Sequence, residues 1–497
     1  MIGRIVLVLL LAANALAQNA VRFQITLAPG LSEKPVSGRL IVFMTPGSKA
    51  GEVLEPNLME PTKVWEEAVE VHDLAPGKPL EVAPTLVFPK SFAEAPAGDY
   101  QFMALLDVNH NYAYRERTDG GDLRSEVVME RGFDPAKAGP VALTLSQRVP
   151  EGAFAETETQ KVVSMESASL SRFWGRPIRM DAVVLLPPSY ARETARRYPT
   201  VYVIHGFGGN HLDIGHRDAP ILAKKMASGK VPEMIYVFLN GECPLGHHEF
   251  ADSVNNGPWG QALTQEFIPF LEKKFRMDGK PQGRLLTGHS SGGWSSLWLE
   301  INYPRVFGGT WSTSPDPEDF RSFTDIDLLR GDNFYYTAEG KERNLVRFHG
   351  KQIMSMKEYV QLERVLGDYG GQIQSFDAVF SPRGEDGRPM ELFDRETGAL
   401  DPFVVKSWEE RYDIDQYLRR NWKRLGPELR GKIHLWVGTA DNFYLNDAAR
   451  LLEQTLKELN ADAKVTYIEG RDHFDLYQGG LVEKIASEMG EVARSKK

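Results

Sequence analysis

The stretch RLLTGHSSGGWSSLWLEINYP, Arg284–Pro304, constrains the fold more than any other part of the chain. An apolar run leads into Gly288-His289-Ser290-Ser291-Gly292, and a helix-length segment follows at once. Glycines flanking a serine permit a strand-to-helix turn too tight for side chains. Such a turn presents the serine hydroxyl at the carboxyl edge of a sheet, beside a helix N-terminus. The motif therefore predicts a strand before it, a helix after it and a nucleophile at Ser290.

The surrounding pattern agrees. From about residue 151 onward, the apolar runs MDAVVLLP, TVYVIHG, MIYVFLN, IHLWVGT and KVTYIEG alternate with helix-length amphipathic segments. One such segment sets Ala449, Leu452, Leu456 and Leu459 on a single helical face. Buried strands alternating with helices predict an α/β domain over 151–497, with a mainly parallel sheet covered on both sides. Residues 316–430 are too long for a simple connection between two strands, and a cap- or lid-like insertion is expected there. Before the α/β domain, 18–150 reads as short strands. Val21, Phe23, Ile25 and Leu27 alternate with polar neighbours, as do Val141, Leu143 and Leu145, and Pro/Gly turns separate the runs. This predicts a small β-sandwich domain.

Arg4 precedes the apolar run Ile5–Ala13, and Ala15-Leu16-Ala17 follows. The pattern predicts a signal peptide over 1–17, cleaved before Gln18, and a secreted or periplasmic bacterial protein. No later stretch approaches about 18 consecutive apolar residues, so no membrane association is expected after cleavage. A formal net charge of -10, spread along the chain, argues against nucleic acid as a partner. The single cysteine, Cys243, cannot form an internal disulfide and has no elbow-like turn around it.

A serine hydroxyl needs a base within hydrogen-bond reach, itself oriented by a carboxylate. Asp441 follows the strand KIHLWVG, and His473 follows VTYIEG, in the order Ser-Asp-His that suits this type of sheet. Asp316, in TSPDP, is the rival acid. The run YPTVYVIHG leads into His205-Gly206-Phe207-Gly208-Gly209, whose backbone can approach a ligand closely. The amides of Phe207 and Ser291 are expected to form an oxyanion hole, with His205 structural. No metal or other cofactor is expected. His247-His248-Glu249 lacks a third ligand at suitable spacing. Asp107-x-Asn109-x-Asn111 begins like a calcium loop, but Tyr112 and Thr118 stand where Gly and Glu are needed, so a polar turn is expected.

Taken together, LLPPSY, VIHGFGG, NNGPWGQALTQEFIPFLEKKF and TGHSSGG closely resemble the esterase D-like family of the α/β-hydrolase superfamily. That family includes S-formylglutathione hydrolases, feruloyl and acetylxylan esterases, enterochelin esterases and mycolyltransferases. The resemblance covers roughly residues 160–314 and 430–480. It implies an α/β-hydrolase catalytic domain, with Ser290, Asp441 and His473 as the triad. It also implies a serine esterase acting on a small-molecule or polysaccharide-linked ester. The N-terminal β-rich segment and the 316–430 insertion depart from the family's compact members. Two alternatives stand beside hydrolysis: acyl transfer to a sugar or lipid alcohol, and a non-catalytic binding protein that keeps the fold.

Overall fold

The computed structural model describes residues 20–48, 51 and 53–495. The expected signal peptide and its cleavage site lie outside the described residues. The chain divides into two compact units. One comprises the described residues through Gly152 together with Gln352–Gly371; the other comprises Ala153–Lys351 and the described residues from Gln372 onward.

The first unit holds β1 (Phe23–Leu27), β2 (Val36–Pro46), β3 (Trp65–Leu74), β4 (Pro79–Val82), β5 (Leu86–Phe88), β6 (Gly98–Asp107), β7 (Leu123–Ser125), β8 (Val128–Phe133) and β9 (Val141–Arg148). They form one nine-stranded sheet in the order β4-β1-β9-β7-β6-β2-β3-β5, with β8 paired to β6. The alternation read from the sequence is seen in β9, where Val141, Leu143 and Leu145 are buried and Ala142 and Thr144 are exposed. Phe23 in β1 and Phe102 in β6 are separated by two intervening strands, yet their ring centroids are 6.0 Å apart. The sheet thus curls until its two parts face each other across the core. The helix Met356–Leu366 packs on β3 and β5. Ser355 and Glu358 form a capping box at its start, and the buried Arg39 donates to the carbonyls of Arg364 and Val365 at its end. The Asp107 carboxylate accepts the N–H groups of Asn109, Asn111 and Tyr112, so the calcium-like motif forms a polar turn at the end of β6.

The second unit is built on β10 (Gln160–Glu166), β11 (Arg179–Leu185), β12 (Thr200–Ile204), β13 (Ile235–Leu239), β14 (Arg284–Ser290), β15 (Gly309–Pro315), β16 (Ile433–Gly438) and β17 (Ala463–Ile468). The sheet order is β10-β11-β13-β12-β14-β15-β16-β17, and only β11 runs against the others. This is an α/β-hydrolase-like fold. Successive side chains of β11 enter different cores: Ala182 and Val184 one, Val183 and Leu185 the other. The second of these cores is closed by α1 (His211–Ala227) through Ile214 and Leu222, and by the C-terminal helix through Leu481 and Ile485. On the first side, Leu299 of α2 (Ser291–Asn302) packs with Trp259 and Phe267. Helices on both faces account for the continuous apolar strand runs.

The long segment between β15 and β16 is divided between the two units. Its helices α3 (Gln372–Phe380) and α4 (Pro402–Arg411) belong to the second unit, whereas Gln352–Gly371 belongs to the first. Trp294 of α2 meets Phe380 at a centroid distance of 5.0 Å, and Trp298 meets Tyr412 at 5.6 Å. The helix behind the elbow is therefore buried along its length by inserted aromatic residues. Among the described residues, no helix is long and apolar enough to cross a membrane.

Candidate active site

Ser290 closes β14 and precedes α2 with φ 59° and ψ −126°, a conformation that costs a non-glycine residue about 1–3 kcal/mol. The neighbouring glycines make the turn possible. A Cβ on Gly288 would lie 2.1 Å from the Gly292 carbonyl oxygen, and one on Gly292 would lie 2.1 Å from that of Ile204. Backbone cannot give way at both places. The strained turn sets the Ser291 amide at the start of α2, where helix N–H groups lack intrahelical partners.

Asp441 follows β16 and His473 follows β17, so both reach the same edge of the sheet as Ser290. His473 Nδ1 is 3.0 Å from Asp441 Oδ2. The other carboxylate oxygen accepts the amides of Phe443 at 2.9 Å and Leu445 at 3.3 Å. Burial alone would push this carboxyl up; the His473 ring and the two amides outweigh it and hold it below the usual range. The His473 backbone N–H donates to Asn442 Oδ1 at 2.9 Å, and its ring lies 4.4 Å from that of His289, Ser290's neighbour. Burial, followed by the nearby His473, pushes His289 down to about 3, which leaves it neutral.

The Ser290 hydroxyl is directed elsewhere. Ser290 Oγ makes a long contact of 3.4 Å with Asp316 Oδ1, and no hydrogen bond joins it to His473. Ser291 Oγ donates to Asp316 Oδ2 at 2.6 Å. The rival acid is thus on the serine side of the site, and the histidine pairs with Asp441. The loop expected to supply the oxyanion hole does lie against the elbow. A Cβ on Gly206 would meet Ser290 Cβ at 3.2 Å and the His289 carbonyl at 3.1 Å, and Phe207 is the next residue.

The family profile described as "Putative esterase" matches residues 176–484, which span all of these positions.

The chain belongs to the Putative esterase family.

Similar proteins include "Uncharacterized protein YbbA" of Bacillus subtilis, 26% identical over 140 residues, 26% of this chain and 54% of that protein. "Endo-1,4-beta-xylanase/feruloyl esterase" of Xylanibacter ruminicola is 25% identical over 143 residues, 27% of this chain and 20% of that protein. The chain thus spans about half or less of the length of the curated relatives it matches. Among solved structures, a ferulic acid esterase superposes with a TM-score of 0.43 at 16% identity, covering 67% of this chain and 99% of that one. The S-formylglutathione hydrolase of Agrobacterium tumefaciens gives 0.37 at 15% identity, covering 67% and 94%.

The remaining candidates of this esterase-family chain have structural partners. His205 Nδ1 donates to the Gly206 carbonyl at 2.8 Å, while Nε2 accepts the Gly241 amide at 2.7 Å. His248 stacks on Trp259 with centroids 3.8 Å apart, and burial drives it well below the ordinary histidine value. Among the described residues, no group of three or more His, Cys, Asp or Glu side chains could hold a metal ion. Burial pushes the Cys243 thiol up to about 12.

Sequence reasoning missed two residues that shape the site, Asn442 and Arg347, and weighed a third, Glu249, only as part of a metal-like triplet. Glu249 accepts from Ser295 Oγ at 2.6 Å on α2. Asn442 joins the loops of Asp441 and His473. Arg347, from the strand Asn344–Phe348 of the insertion, donates Nε–H to the Asp441 carbonyl at 2.8 Å and accepts from Asn442 Nδ2 at its own carbonyl at 2.8 Å. For Asn442 and Arg347 the only signal was polarity, which does not distinguish them from solvated loop residues.

Proposed function

We propose that the chain is a secreted serine esterase that hydrolyses carboxylic esters through an acyl-Ser290 intermediate. The observation that carries the reading is the buried His473–Asp441 pair at the sheet edge where the strained turn presents Ser290. With Nδ1–H donating to Asp441, His473 Nε2 is left as a proton acceptor. Ser290 Oγ attacks the ester carbonyl carbon as its proton passes to Nε2. The amides of Phe207 and Ser291 donate to the oxyanion, a contribution worth on the order of a hundredfold or more per donor. Collapse of the tetrahedral adduct breaks the ester C–O bond, and His473 returns the proton to the departing alcohol. Water, giving its proton to His473, then attacks the acyl-serine; the bond from the acyl carbon to Oγ breaks as His473 returns that proton to Ser290, and the acid is released.

The substrate in this reading is a small-molecule or polysaccharide-linked ester. A relative whose name joins an endo-1,4-beta-xylanase to a feruloyl esterase supports this class. The N-terminal unit is read as a β-sandwich, supported by the contact of Phe23 and Phe102 across its curled sheet. The 316–430 segment is read as a cap over the site, supported by its aromatic packing on α2. Export to the periplasm or exterior rests on the N-terminal sequence.

The test is hydrolysis of short-chain p-nitrophenyl esters by the chain from Gln18 onward, beside Ser290→Ala. Loss of about a million-fold in turnover is expected, as removal of a triad serine produces. Activity that survives the substitution overturns the assignment of Ser290. Product analysis with an added alcohol separates hydrolysis from acyl transfer.

A further inference from the structure

Asp316 is fixed beside the nucleophile more firmly than its long contact with Ser290 alone would indicate. Its Oδ2 accepts from Ser291 Oγ at 2.6 Å, its backbone N–H donates to the Ser290 carbonyl at 3.3 Å, and it is only 3% exposed. Oδ1 is thereby held 3.4 Å from Ser290 Oγ. A serine hydroxyl has one proton to donate. Directed to Asp316, it is not available to His473, and attack requires Oγ to turn away from the carboxylate. An anion at this distance also opposes the negative charge that develops on Oγ and on the ester oxygen.

We infer that Asp316 is a second carboxyl acting on Ser290, one that in its ionised form holds the hydroxyl off His473 and restrains the reaction. This rests on the esterase reading of the site. The titratable groups facing Asp316 are Glu249, His473, His247 and Glu318. Burial, reinforced by the Glu249 charge, pushes the Asp316 carboxyl up to about 7, although Ser291, His473 and His247 oppose the shift. The restraint therefore engages as pH rises through neutrality and is released below it. Glu249, itself held by Ser295, adds to burial in moving that change to higher pH.

The experiment measures pH profiles of kcat for a p-nitrophenyl ester with wild type, Asp316→Asn and Glu249→Gln, together with the rate of Ser290 labelling by a fluorophosphonate. The amide of Asn keeps the shape without the charge. The Asp316→Asn to wild-type ratio is expected to be near one in mild acid and to rise to about five- to tenfold at pH 9. In Glu249→Gln, the decline of activity with rising pH should begin at lower pH, because Asp316 loses a like-charged neighbour. A merely structural role would not move that onset.

A ratio that stays flat with pH, or a loss of tenfold or more in Asp316→Asn at every pH, overturns the inference. If Asp316→Asn fails to fold, the Glu249→Gln profile decides alone, and an unshifted onset sinks it. Wild type without Ser290-dependent hydrolysis would overturn the functional reading as well; a wild type active through Ser290 with an unaltered Asp316→Asn profile would overturn only the restraint.

Discussion

His473 Nδ1 lies 3.0 Å from Asp441 Oδ2, and the histidine is 5% exposed while the aspartate is fully buried. In the proposed triad it is this aspartate, not Asp316, that orients the ring. Asp441→Asn should therefore lower kcat by about a thousand- to ten-thousandfold, since an amide can favour the wrong tautomer. Asp316→Asn should show no such loss. Steady-state kinetics on both variants, with circular dichroism to confirm folding, checks the contrast. A larger loss in Asp316→Asn would exchange the two roles.

The insertion grips the Asp441 loop, and Asn442 carries that hold across to the loop of His473. Arg347 N–H donates to the Asn442 carbonyl at 3.0 Å and its Nε–H to the Asp441 carbonyl at 2.8 Å; Asn442 Oδ1 in turn accepts the His473 amide at 2.9 Å. Asn442→Ala should lower kcat about ten- to a hundredfold with little change in KM, because it loosens the geometry of the base and not the binding of substrate. Arg347→Ala should do the same to a smaller extent, and the double variant should cost less than the two losses combined, since one network is being broken. Unchanged kcat in Asn442→Ala would show that the loops hold their positions without this bridge.

How much of this was legible in the sequence follows from what periodicity and turn chemistry encode. Gly288 and Gly292 mark a tight turn by their spacing about a serine, and Asp441 and His473 stand directly after apolar strand runs, so the residues at the carboxyl edge of the sheet were legible from local pattern; that Gly292 also clears the Ile204 carbonyl of β12 was not. The pattern SMKEYVQLERVL likewise identifies an amphipathic helix. It does not say what covers the apolar face. That helix joins the first unit, where Arg39 binds its last carbonyls across 326 positions of sequence. Asp316 shows the same limit. Its residue type suggested a triad acid, but only the register of β14 with β15, whose carboxyl ends lie side by side, directs it to Ser290 and Ser291.

Glu300 provides a measure of what burial costs this fold. It lies on α2, fully buried, with neither carboxylate oxygen hydrogen-bonded and Lys432 Nζ 3.5 Å from one of them. Burial pushes its carboxyl up to about 8 despite the Lys432 charge. In the unfolded chain a glutamate titrates near 4.3. Between those two values the native state binds more protons than the unfolded state, so stability falls as pH rises from about 4.5 to about 8 and levels off above. Glu300→Gln removes this titration while keeping the side chain's size. Lys432 retains the carbonyls of Pro304 and Phe307 as acceptors. The variant should match wild type in urea unfolding near pH 5 and exceed it at pH 8 by on the order of a few kcal/mol, since each pKa unit of displacement corresponds to about 1.4 kcal/mol. Stability curves that run parallel from pH 5 to pH 8 would show that Glu300 keeps its charge in the fold, with Lys432 compensating it.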